Sequence, residues 1–503
     1  MDQTLFEKYP IYLINSYTRK KEKFQPLNPS HIGIYLCGPT VYGDPHLGHA
    51  RSAISFDIVV RYFRFLGYKV RYVRNITDVG HLEDEVLDAG EDKITKKARL
   101  EQLEPMEIVQ MYTNRYHEAM SRLNTLPPSI EPTASGHVPE QIKIIEAILR
   151  NGFAYEANGS VYFDLEKYAG QQAYGKLSGK VLEDLKAGSR DTEGLGEKRS
   201  PHDFALWKKA SPEHIMRWDS PWSEGFPGWH LECTTMCTKY LGDEFDIHAG
   251  GLDLQFPHHE AEIAQSFGAF KKNPVRYWMH NNMVTIDGQK MSKSLGNFIT
   301  LEQLFDGDHP KLEQAYSPMT VRFFILQAHY RSPIDFSNQA LQAAEKGLQR
   351  LMNAQEILSK LDHQEAETDQ ALDDEIRSLC ASCYEHMSDD FNTAKAIASL
   401  FEMGSKINAF YHQQLPLNGI TPETFTLLQN TFTSFIEEVL GMEAVRDDQS
   451  DRIGALVNLL IDIRKDARSQ KDFATSDKIR DRLAEIGVQL KDEKGGATSF
   501  ALN

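Results

Sequence analysis

The sequence predicts an α/β protein in which a doubly wound parallel sheet is split by an inserted subdomain and followed by a helical carboxyl-terminal part. Three observations predict this class: a β-α-β unit near the start, strand-like segments that return after a long polar stretch, and almost purely helical periodicity beyond about residue 330. A chain of 503 residues is also too long for one hydrophobic core, so several domains are expected.

The β-α-β unit occupies residues 32–77. The segment from Ile32 to Cys37 alternates as a strand does, and the Gly-Pro-rich turn GPTVYGDPH follows it. A helical stripe from Leu47 to Phe65 comes next and ends at Gly67, and YKVRYVRNIT is typical of a second strand because it is rich in β-branched and aromatic residues. Such a unit is the beginning of a Rossmann-like, nucleotide-binding sheet.

An insertion is predicted to interrupt this sheet. Its polar, glycine-dotted stretch GKLSGKVLEDLKAGSRDTEGLGEKRS is typical of long loops, and strand-like sequence returns only in EFDIHAGG and MHNNMVTIDG. We therefore predict the first half of the sheet domain over 1–130, an inserted connective subdomain over 131–210, the second half over 211–285, and a connecting region over 286–335.

The remainder of the chain is predicted to be helical. Three segments, ALQAAEKGLQRLMNAQEILSKL, TAKAIASLFEMGSKINAFY and FTLLQNTFTSFIEEVLG, have apolar residues at helical spacing and predict a bundle over 336–450. The last segment, 451–503, is predicted to be a small separate domain, with a helix in ATSDKIRDRLAEIG and a short strand in VQLKD.

Composition limits the classes of function. The net charge of -17 works against sequence-independent binding of nucleic acid, so any such role must depend on local basic patches. No apolar run reaches the roughly 18 to 20 residues of a membrane span, and the start MDQTLFEKYP does not resemble a secretory signal, so the cytoplasm is predicted. The cysteines are odd in number and sparse, which favours free thiols over a disulfide framework. They are Cys37, Cys233, Cys237, Cys380 and Cys383.

Two motifs are candidates for binding a triphosphate. His46 and His49 stand at the start of the predicted helix, directly after the first strand, where free N–H groups favour anions. Lys290 and Lys293, in DGQKMSKSLGN, follow a strand and an Asp-Gly turn, and two flexible ammonium groups suit a clamp on phosphates. Taken singly, ordinary helix-start histidines and a solvated lysine loop are equally good interpretations. Together, on opposite halves of a split sheet, the two motifs favour phosphate binding.

These motifs also carry a family resemblance. HLGH at 46–49 and KMSKS at 290–294 are similar to the two signatures of class I aminoacyl-tRNA synthetases. YLCGPTVY, RNITD, PGWHLEC, FDIHAGGLDLQFPHHEAEIAQS, YWMHNNMV and HYRSPIDFS resemble the cysteinyl-tRNA synthetase family, from about residue 10 to the carboxyl terminus.

The resemblance implies a two-step reaction. The carboxylate of L-cysteine attacks the α-phosphate of ATP, which Mg²⁺ accompanies, and the 3'-terminal adenosine of tRNA(Cys) then attacks the resulting cysteinyl-adenylate. His46, His49, Lys290 and Lys293 are expected to stabilise charge on the phosphates. The region 286–335 is expected to contact the acceptor stem, the bundle to bind tRNA, the last domain to bind the anticodon, and the enzyme to be a monomer.

A metal site is predicted around QFPHHEAEIAQS, where Pro257 suits the first helical position and Gly268 the end. His258 and Glu262 are four residues apart and lie on one helix face, but two ligands are too few for zinc. Cysteines are the natural candidates for the others, and the resemblance implies zinc held by four residues. They are Cys37, Cys233, His258 and Glu262.

Neighbouring residues have alternative roles. Cys237 is a possible competing ligand, although Met236 and Leu241 beside it favour a packed thiol. His259 and Glu260 are expected to be supporting or exposed. His259 is a candidate to support the metal site by contacting a metal ligand and not the metal itself. Cys380 and Cys383 have no second cysteine pair nearby and are interpreted as helix-packing residues.

Zinc has a clear use in such an enzyme. Cysteine and serine differ by one atom, and pocket shape alone separates such neighbours by only about 10- to 200-fold. Zinc binds thiolate at about 2.3 Å and has no comparable affinity for a hydroxyl. The resemblance therefore implies that zinc selects the cysteine thiolate over serine.

The resemblance also assigns the amino-acid pocket. Trp229 is expected along the substrate, Asp253 on its ammonium group, and Gly38, Thr40, Thr77 and His248 around it. Plainer interpretations stay open: Trp229 as a core residue and Gly38 as a turn residue.

The basic residues of the last domain are predicted to contact the anticodon region, with a solvated amphipathic face as the alternative. They are Arg464, Lys465, Arg468, Lys478, Arg480 and Arg482. Three features depart from the familiar pattern: a longer stretch VGHLEDEVLDAGED after NITD, extra residues in DGDHPKLEQAYSPM after KMSKS, and Phe500 where a tryptophan is familiar.

Two other functions compete with this one. A ligase that joins cysteine to an amino sugar in mycothiol synthesis shares the split fold, zinc and KMSKS, but lacks the helical region past about residue 400. A zinc hydrolase would use the same His-xxx-Glu pair, but it needs an open metal position for water and gives no reason for HLGH and KMSKS.

Overall fold

The computed structural model divides into two compact units, Met1–Glu443 and Ala444–Asn503. It describes residues 4–80, 82–84, 89–180, 197–212, 214–292, 295–364, 367–443, 457, 459–461, 463–465, 467–468, 472–485, 488–492 and 498–502. Among the helices within these ranges, none is long and apolar enough to cross a membrane.

A four-stranded parallel sheet forms the centre of the first unit. Its strands are β1 (His31–Leu36), β2 (Lys69–Arg74), β3 (Phe245–Gly251) and β4 (Val275–Asn281), in the spatial order β4-β3-β1-β2. β3 pairs in parallel with both β1 and β4, so the two halves of the predicted split sheet join at the β1–β3 pair. The predicted split α/β fold is confirmed.

Helices cover both faces of this sheet. On one face α1 (Leu47–Phe65) packs its buried residues against Ile32, Ile34 and Leu36 of β1. On the other face α2 (Leu231–Leu241) packs against Tyr35. Side chains alternate between the two faces of a strand, and here helices cover both faces. The residues of β1 are therefore apolar on both sides, as is typical of doubly wound sheets. The third helix beside the sheet, α3, spans His258–Phe270.

The insertion is a small antiparallel sheet with a helix. Val138–Arg150 is the helix, and the strands are Ala154–Ala157, Ser160–Phe163, Phe204–Lys209 and Gly225–Pro227. The last strand lies beyond the predicted boundary at 210 because Gly225–Pro227 folds back to pair with Trp207, Lys208 and Lys209. Buried residues of the insertion share one core with Leu231 of α2 and Ala261 and Ala264 of α3.

The connecting region leads from the sheet to the bundle. A short sheet combines Val284–Ile286, Gln289–Lys290 and Ile334–Phe336, and two helices span Leu301–Asp306 and Pro318–Leu326. The extra residues of DGDHPKLEQAYSPM contact the start of the first bundle helix, which begins at Asn338. There Tyr316 donates a hydrogen bond to the Asn338 side chain at 2.9 Å.

Four long helices form the bundle. They span Asn338–Lys360, Gln370–Ser388, Thr393–Tyr411 and Pro422–Ser434, and a π-helical turn Phe435–Val439 follows. Cys380 and Cys383 are buried between these helices, which confirms their packing role.

A buried ionic cluster connects the sheet half of the first unit to the bundle. The Asp57 carboxylate of α1 pairs with Arg61 and Arg322. Arg322 is fully buried and also donates to the carbonyls of Leu440, at 2.7 Å, and Leu123, at 2.9 Å. Four stretches that are far apart in sequence, around Asp57, Leu123, Arg322 and Leu440, therefore meet at the Arg322 guanidinium.

Further helices, strands and 3₁₀ turns complete the described part of the first unit. They are the helices Leu5–Lys8, Lys93–Glu101, Pro105–Arg122 and Leu165–Ala169, the strands Tyr12–Asn15, Lys20–Lys23, Leu82–Asp84 and Ala89–Asp92, and the 3₁₀ turns Ser135–His137, Leu252–Gln255 and Leu417–Gly419.

In the second unit a helix, Phe473–Glu485, precedes an antiparallel pair of strands, Val488–Asp492 and Thr498–Leu502. Both the predicted helix and the strand in VQLKD are confirmed. Phe500 stands opposite Leu490 in this pair. Of the six predicted anticodon residues, Arg464 is buried and the other five are exposed, so Arg464 differs from the prediction of a basic surface.

Candidate active site

A cavity of about 680 Å³ opens at the carboxyl ends of the strands, the edge where doubly wound sheets bind ligands. Its wall contains Cys37, Cys233 and His258 together with His46 and Lys290. Residues from both predicted signatures and from the predicted metal cluster therefore line one space.

The structure brings the four predicted metal ligands together. Cys37 follows β1, Cys233 lies in the first turn of α2, and His258 and Glu262 lie one turn apart on α3. Their donor atoms are all within 4.8 Å of one another. The two sulfur atoms are 3.8 Å apart, and His258 Nε2 is 3.1 Å from Glu262 Oε1.

These separations fit a tetrahedral ion. Bonds of about 2.3 Å to sulfur and about 2.0 to 2.1 Å to nitrogen or oxygen require donor separations of about 3.8 Å for two sulfurs and about 3.3 Å for nitrogen and oxygen. A set of two thiols, an imidazole and a carboxylate is also typical of zinc. The residues present therefore fit a metal ion in both spacing and chemistry.

The charges of the cluster favour a cation. Burial would raise the pKa of Glu262, but His248 and His258 outweigh burial and bring it to about 2. Burial likewise opposes ionisation of Cys233, but the hydrogen bond from Cys37 and the neighbouring His258 lower its pKa to about 6. At neutral pH the cluster thus presents an anionic carboxylate and an anionic thiolate.

His248 lies behind the metal cluster and not on the cavity wall. It is fully buried, its Nε2 is 2.8 Å from Glu262 Oε2, and its ring stacks on Trp278 with 4.5 Å between centroids. The predicted contact of His248 with the amino acid stays a prediction, and in the structure its ring holds the carboxylate of the predicted metal ligand Glu262.

His259 is buried too. Its Nε2 lies 3.3 Å from Cys37 Sγ, and its Nδ1 is 2.8 Å from His280 Nε2. A second group of donors, Cys37, His248, His259 and Glu262, also meets the 4.8 Å criterion. His259 is therefore a supporting residue with a geometry close to that of a ligand.

Glu260 is not exposed, in contrast to one of the predicted alternatives. Its carboxylate accepts hydrogen bonds from the backbone N–H groups of Gly175, at 3.1 Å, and Ser178, at 2.8 Å, and from the Ser178 hydroxyl. The helix that carries two of the predicted metal ligands is thus held to the insertion. Gly268 also packs against the insertion, because a Cβ there would approach Phe163 to 3.0 Å. It is not the end of the helix, since α3 continues past it to Phe270.

Five of the predicted amino-acid contacts line the cavity. They are Gly38, Thr40, Thr77, Trp229 and Asp253. A Cβ on Gly38 would meet the Asn75 carbonyl oxygen at 1.5 Å, so this glycine also permits a close backbone approach. The Trp229 ring lies 4.6 Å from the His258 ring, on the cavity wall and not in the core.

The signature histidines are held by the start of α1. The Gly48 N–H donates to His46 Nδ1 at 3.1 Å, and the His46 N–H donates to His49 Nδ1 at 3.2 Å. The two rings stack with 3.9 Å between centroids. Burial lowers the pKa of His49 to about 4, so the ring is neutral at pH 7. Each Nδ1 accepts, which leaves Nε2 as the ring nitrogen that can donate to a ligand.

Lys290 is exposed at the cavity rim, at the end of the short strand Gln289–Lys290. Asn297 holds the following loop, because its amide donates to the Lys290 carbonyl at 3.1 Å and accepts from the Ser292 N–H at 2.8 Å. The predicted partner Lys293 lies outside the described residues.

Glu232 is a cavity residue that sequence reasoning missed. It precedes the predicted metal ligand Cys233, is buried, and accepts a hydrogen bond from Thr77 Oγ1 at 2.7 Å. Burial and the charge of Cys233 raise its pKa well above the usual range for glutamate. The available signal was a glutamate inside LECTTMC, a helix start that is otherwise uncharged.

Three sequence families match the chain. Residues 23–346 match the class I (C) tRNA synthetase catalytic domain, residues 383–444 a DALR domain, and residues 450–498 a cysteinyl-tRNA ligase anticodon binding domain. The first match covers more than half of the chain.

Solved structures share the fold at low identity. A Mycobacterium tuberculosis methionyl-tRNA synthetase in complex with methionyl-adenylate superposes with a TM-score of 0.54 at 14% identity, over 82% of this chain and 89% of that one. An Agrobacterium radiobacter leucyl-tRNA synthetase in a ternary complex has a TM-score of 0.56 at 14% identity, over 83% and 85%.

Curated relatives match along almost the whole length. The cysteine–tRNA ligase of Porphyromonas gingivalis is 56% identical over 97% of this chain and 99% of its own. Those of Cytophaga hutchinsonii and Chlorobaculum tepidum are 58% and 50% identical, each over 97% of this chain and 98% of their own. With the catalytic and anticodon-binding families matched in one chain, the protein belongs to the cysteine–tRNA ligases of the class I aminoacyl-tRNA synthetase family.

Proposed function

We propose that the protein activates L-cysteine with ATP and transfers it to the 3' end of tRNA(Cys), using a zinc ion to select the amino acid. One observation carries the proposal: a single cavity joins the cluster of thiol, imidazole and carboxylate donors to the signature residues His46, His49 and Lys290. A thiol-recognising end and a phosphate-binding end in one space suit the joining of cysteine to a nucleotide.

The phosphate end would stabilise charge as the first bond forms. The substrate carboxylate attacks the α-phosphorus of ATP and pyrophosphate leaves. His46 and His49 can donate from Nε2 to phosphate oxygens at the start of α1, where the helix dipole also favours anions. Lys290 at the rim, with Lys293 as its predicted partner, would neutralise the charge that moves onto pyrophosphate, and Mg²⁺ would accompany ATP.

The second step needs no side-chain nucleophile. The terminal ribose hydroxyl of the tRNA attacks the activated carbonyl carbon and AMP leaves. The bundle and the second unit would hold the tRNA, with the exposed Lys465, Arg468, Lys478, Arg480 and Arg482 toward the anticodon region. Salt-dependent tRNA binding that weakens when several of them are neutralised is the expected result, and unchanged binding would remove this assignment.

The amino-acid end would provide the selectivity. Cys37, Cys233, His258 and Glu262 would hold zinc, which when bound supplies a thiophilic Lewis acid that recognises the substrate sulfur. Trp229 would lie along the substrate, with Gly38, Thr40, Thr77 and Asp253 on the surrounding wall. His248 would act from behind, because it holds the Glu262 carboxylate in place.

The two competing functions explain fewer observations. A ligase for an amino sugar gives no use to the bundle and anticodon-binding regions, which relatives named cysteine–tRNA ligase match over 97% of the chain. A hydrolase gives no use to stacked histidines and a lysine loop beside the metal cluster. A cytoplasmic location and a monomeric state stay predictions from the sequence.

ATP–pyrophosphate exchange with cysteine or serine as substrate tests the proposal. The purified protein is assayed as isolated, after removal of metal by a chelator, and after zinc is restored. We expect exchange with cysteine only, loss on chelation and recovery with zinc. Comparable exchange with serine, or selectivity that survives chelation, would contradict the role of zinc. Charging of tRNA(Cys) transcripts then separates the tRNA ligase from the amino-sugar ligase.

A further inference from the structure

We propose that Asp390, in the bundle, is a positioning residue for the reaction with ATP. It holds a turn that places the lysine-bearing strand Gln289–Lys290 relative to the signature histidines. This inference rests on the proposed function, since it concerns the same reaction. It assigns a role to a buried carboxylate that lies outside the cavity lining, and it gives the bundle a part in the activation of the amino acid.

Residues 329–332, here called the positioning turn, are bound by an arginine of the helix that carries the signature histidines. Arg51 follows His49 by two residues in α1 and is 1% exposed. Its Nη2 donates to three carbonyls of the turn at 2.8 to 3.1 Å, those of His329, Tyr330 and Ser332. A displaced turn would leave a buried cation with fewer acceptors, which is costly. The turn is therefore held in one place relative to the histidine end of α1.

The chain that leaves the positioning turn determines where the lysine strand lies. It enters the strand Ile334–Phe336, which pairs in parallel with Val284–Ile286, and that strand pairs in turn with Gln289–Lys290. The Asp335 carboxylate accepts from the Gly288 N–H at 2.8 Å, in the tight turn just before the lysine strand. The relative position of the lysine and the two histidines thus depends on the positioning turn.

Asp390 contacts the positioning turn from the bundle. It lies between the second and third bundle helices and is 4% exposed. Its Oδ1 accepts from the Tyr330 hydroxyl at 2.8 Å and from the Ile14 N–H at 2.9 Å, and its Oδ2 accepts from Arg331 Nε at 2.8 Å. Hydrogen bonds to an ionised carboxylate are the stronger kind, and two of these three fix side chains of the turn.

The backbone around Asp390 has an uncommon conformation. Asp390 has φ 61° and Phe391 has φ 53°, the left-handed region that a bulky residue rarely adopts. Such a conformation persists where surrounding contacts determine it, and it is concentrated at functional positions. Here Asp390 binds the positioning turn, while the Phe391 ring lies 5.5 Å from the Phe63 ring of α1. Adjacent residues therefore contact both elements whose relative position matters.

Two neighbouring aspartates supply the variant and its control. Asparagine tolerates a positive φ, so Asp390→Asn keeps the backbone but replaces one accepting oxygen by a donor. Asp389→Asn makes the same chemical change one residue away, where the carboxylate pairs with Lys21 and is 44% exposed. Steady-state ATP–pyrophosphate exchange gives kcat and the KM for cysteine of the zinc-loaded full-length proteins. Hydrogen exchange read by mass spectrometry measures protection of the strands Val284–Ile286 and Ile334–Phe336 and of α3.

We expect Asp390→Asn to lower kcat by about 10- to 100-fold, as small displacements of a charge-stabilising group do. The KM for cysteine and the zinc content should stay within about twofold of wild type, because the metal cluster does not contact the turn. Hydrogen exchange should become faster in the two strands and stay unchanged in α3. Asp389→Asn should match wild type in every measurement.

Three results would overturn the proposal. They are an unchanged kcat in Asp390→Asn, a lower kcat with unchanged exchange in the two strands, and a lower kcat accompanied by equal changes in the KM for cysteine or in zinc content. The last result would indicate a general loss of structure.

A second variant decides the question if Asp390→Asn does not fold. Arg331→Met removes the ion pair with Asp390, and the Arg331 side chain is 43% exposed, so the core is left intact. It should show the same pattern with a smaller fall in kcat, about 3- to 5-fold, and an unchanged kcat there would overturn the proposal. Absence of cysteine-dependent exchange in wild type would be a failure of the proposed function. Wild-type kcat in both variants of an active enzyme would be a failure of this inference alone.

Discussion

Replacing Cys233 by serine should remove most of the metal affinity, whereas the same change at Cys237 should not. Both cysteines are buried on α2, four residues apart. Cys233 Sγ is 3.8 Å from Cys37 Sγ and belongs to the donor cluster. Cys237 Sγ instead donates to the Thr234 carbonyl, at 3.3 Å, a bond that a serine hydroxyl can replace. Cys237→Ser is thus a matched control.

The magnitude follows from the four donors of the cluster. Structural zinc sites in peptides are worth about 10 to 16 kcal/mol, so an equal share for one of four ligands is about 2.5 to 4 kcal/mol. At about 1.4 kcal/mol for each factor of ten, Cys233→Ser should weaken zinc binding by about 60- to 700-fold. Cys237→Ser should change it by less than about threefold, because it alters packing and not ligation.

Competition with a chromogenic chelator measures both zinc affinities, and thermal unfolding of the two variants checks that each is folded. Wild-type affinity in Cys233→Ser would show that the ligand set is wrong. A large loss in Cys237→Ser would show that the metal lies one helical turn further along α2.

The remaining predictions concern ligand choice, stability and pH. His258→Ala should lower zinc affinity by about 100-fold and His259→Ala by about 10-fold, because only a supporting contact is lost at His259. The reverse order in the chelator assay would favour the second donor group, Cys37, His248, His259 and Glu262. Asp57→Asn should lower the free energy of unfolding by about 3 to 5 kcal/mol, since it leaves Arg322 buried without its ion pair; a change below about 1 kcal/mol in urea unfolding would refute this. Burial would raise the pKa of Asp373, but hydrogen bonds from Thr424, Thr421 and Arg377 lower it below the usual value. A lowered folded-state pKa stabilises the fold above the unfolded value of about 3.9, and that stabilisation is lost as the pH falls. Unfolding measured between about pH 6 and pH 3 should therefore show a steeper loss in wild type than in Asp373→Asn, and parallel curves would contradict the assignment.

The sheet and the bundle were predictable because local patterns determine them. Alternation in β1, the apolar stripe of α1 and the β-branched residues of β2 each reflect contacts with a regular neighbour. The insertion boundary was not predictable in this way. Gly225–Pro227 is a strand of three residues whose pairing with Trp207, Lys208 and Lys209 has no local signal.

The metal cluster was half predictable from spacing. His258 and Glu262 share a helix face by their separation alone, whereas their joining with Cys37 and Cys233 depends on the order of strands in the sheet and was expected only through the family resemblance. The places of His248, Glu260 and Glu232 needed the structure. Each depends on contacts with residues that are distant in sequence, such as that of Glu232 with Thr77.

The Asp57 cluster sets a limit on how the first unit can be divided. The catalytic and DALR family matches, 23–346 and 383–444, resemble separable modules. Yet the carbonyl of Leu440, near the end of the second match, accepts from an arginine in the first, and Asp57 neutralises that arginine. A fragment cut between the two matches would keep Arg322 but lose this acceptor. The regions that sequence families recognise are therefore not separate packing units here, because the buried contacts of Arg322 reach through the bundle to Leu440.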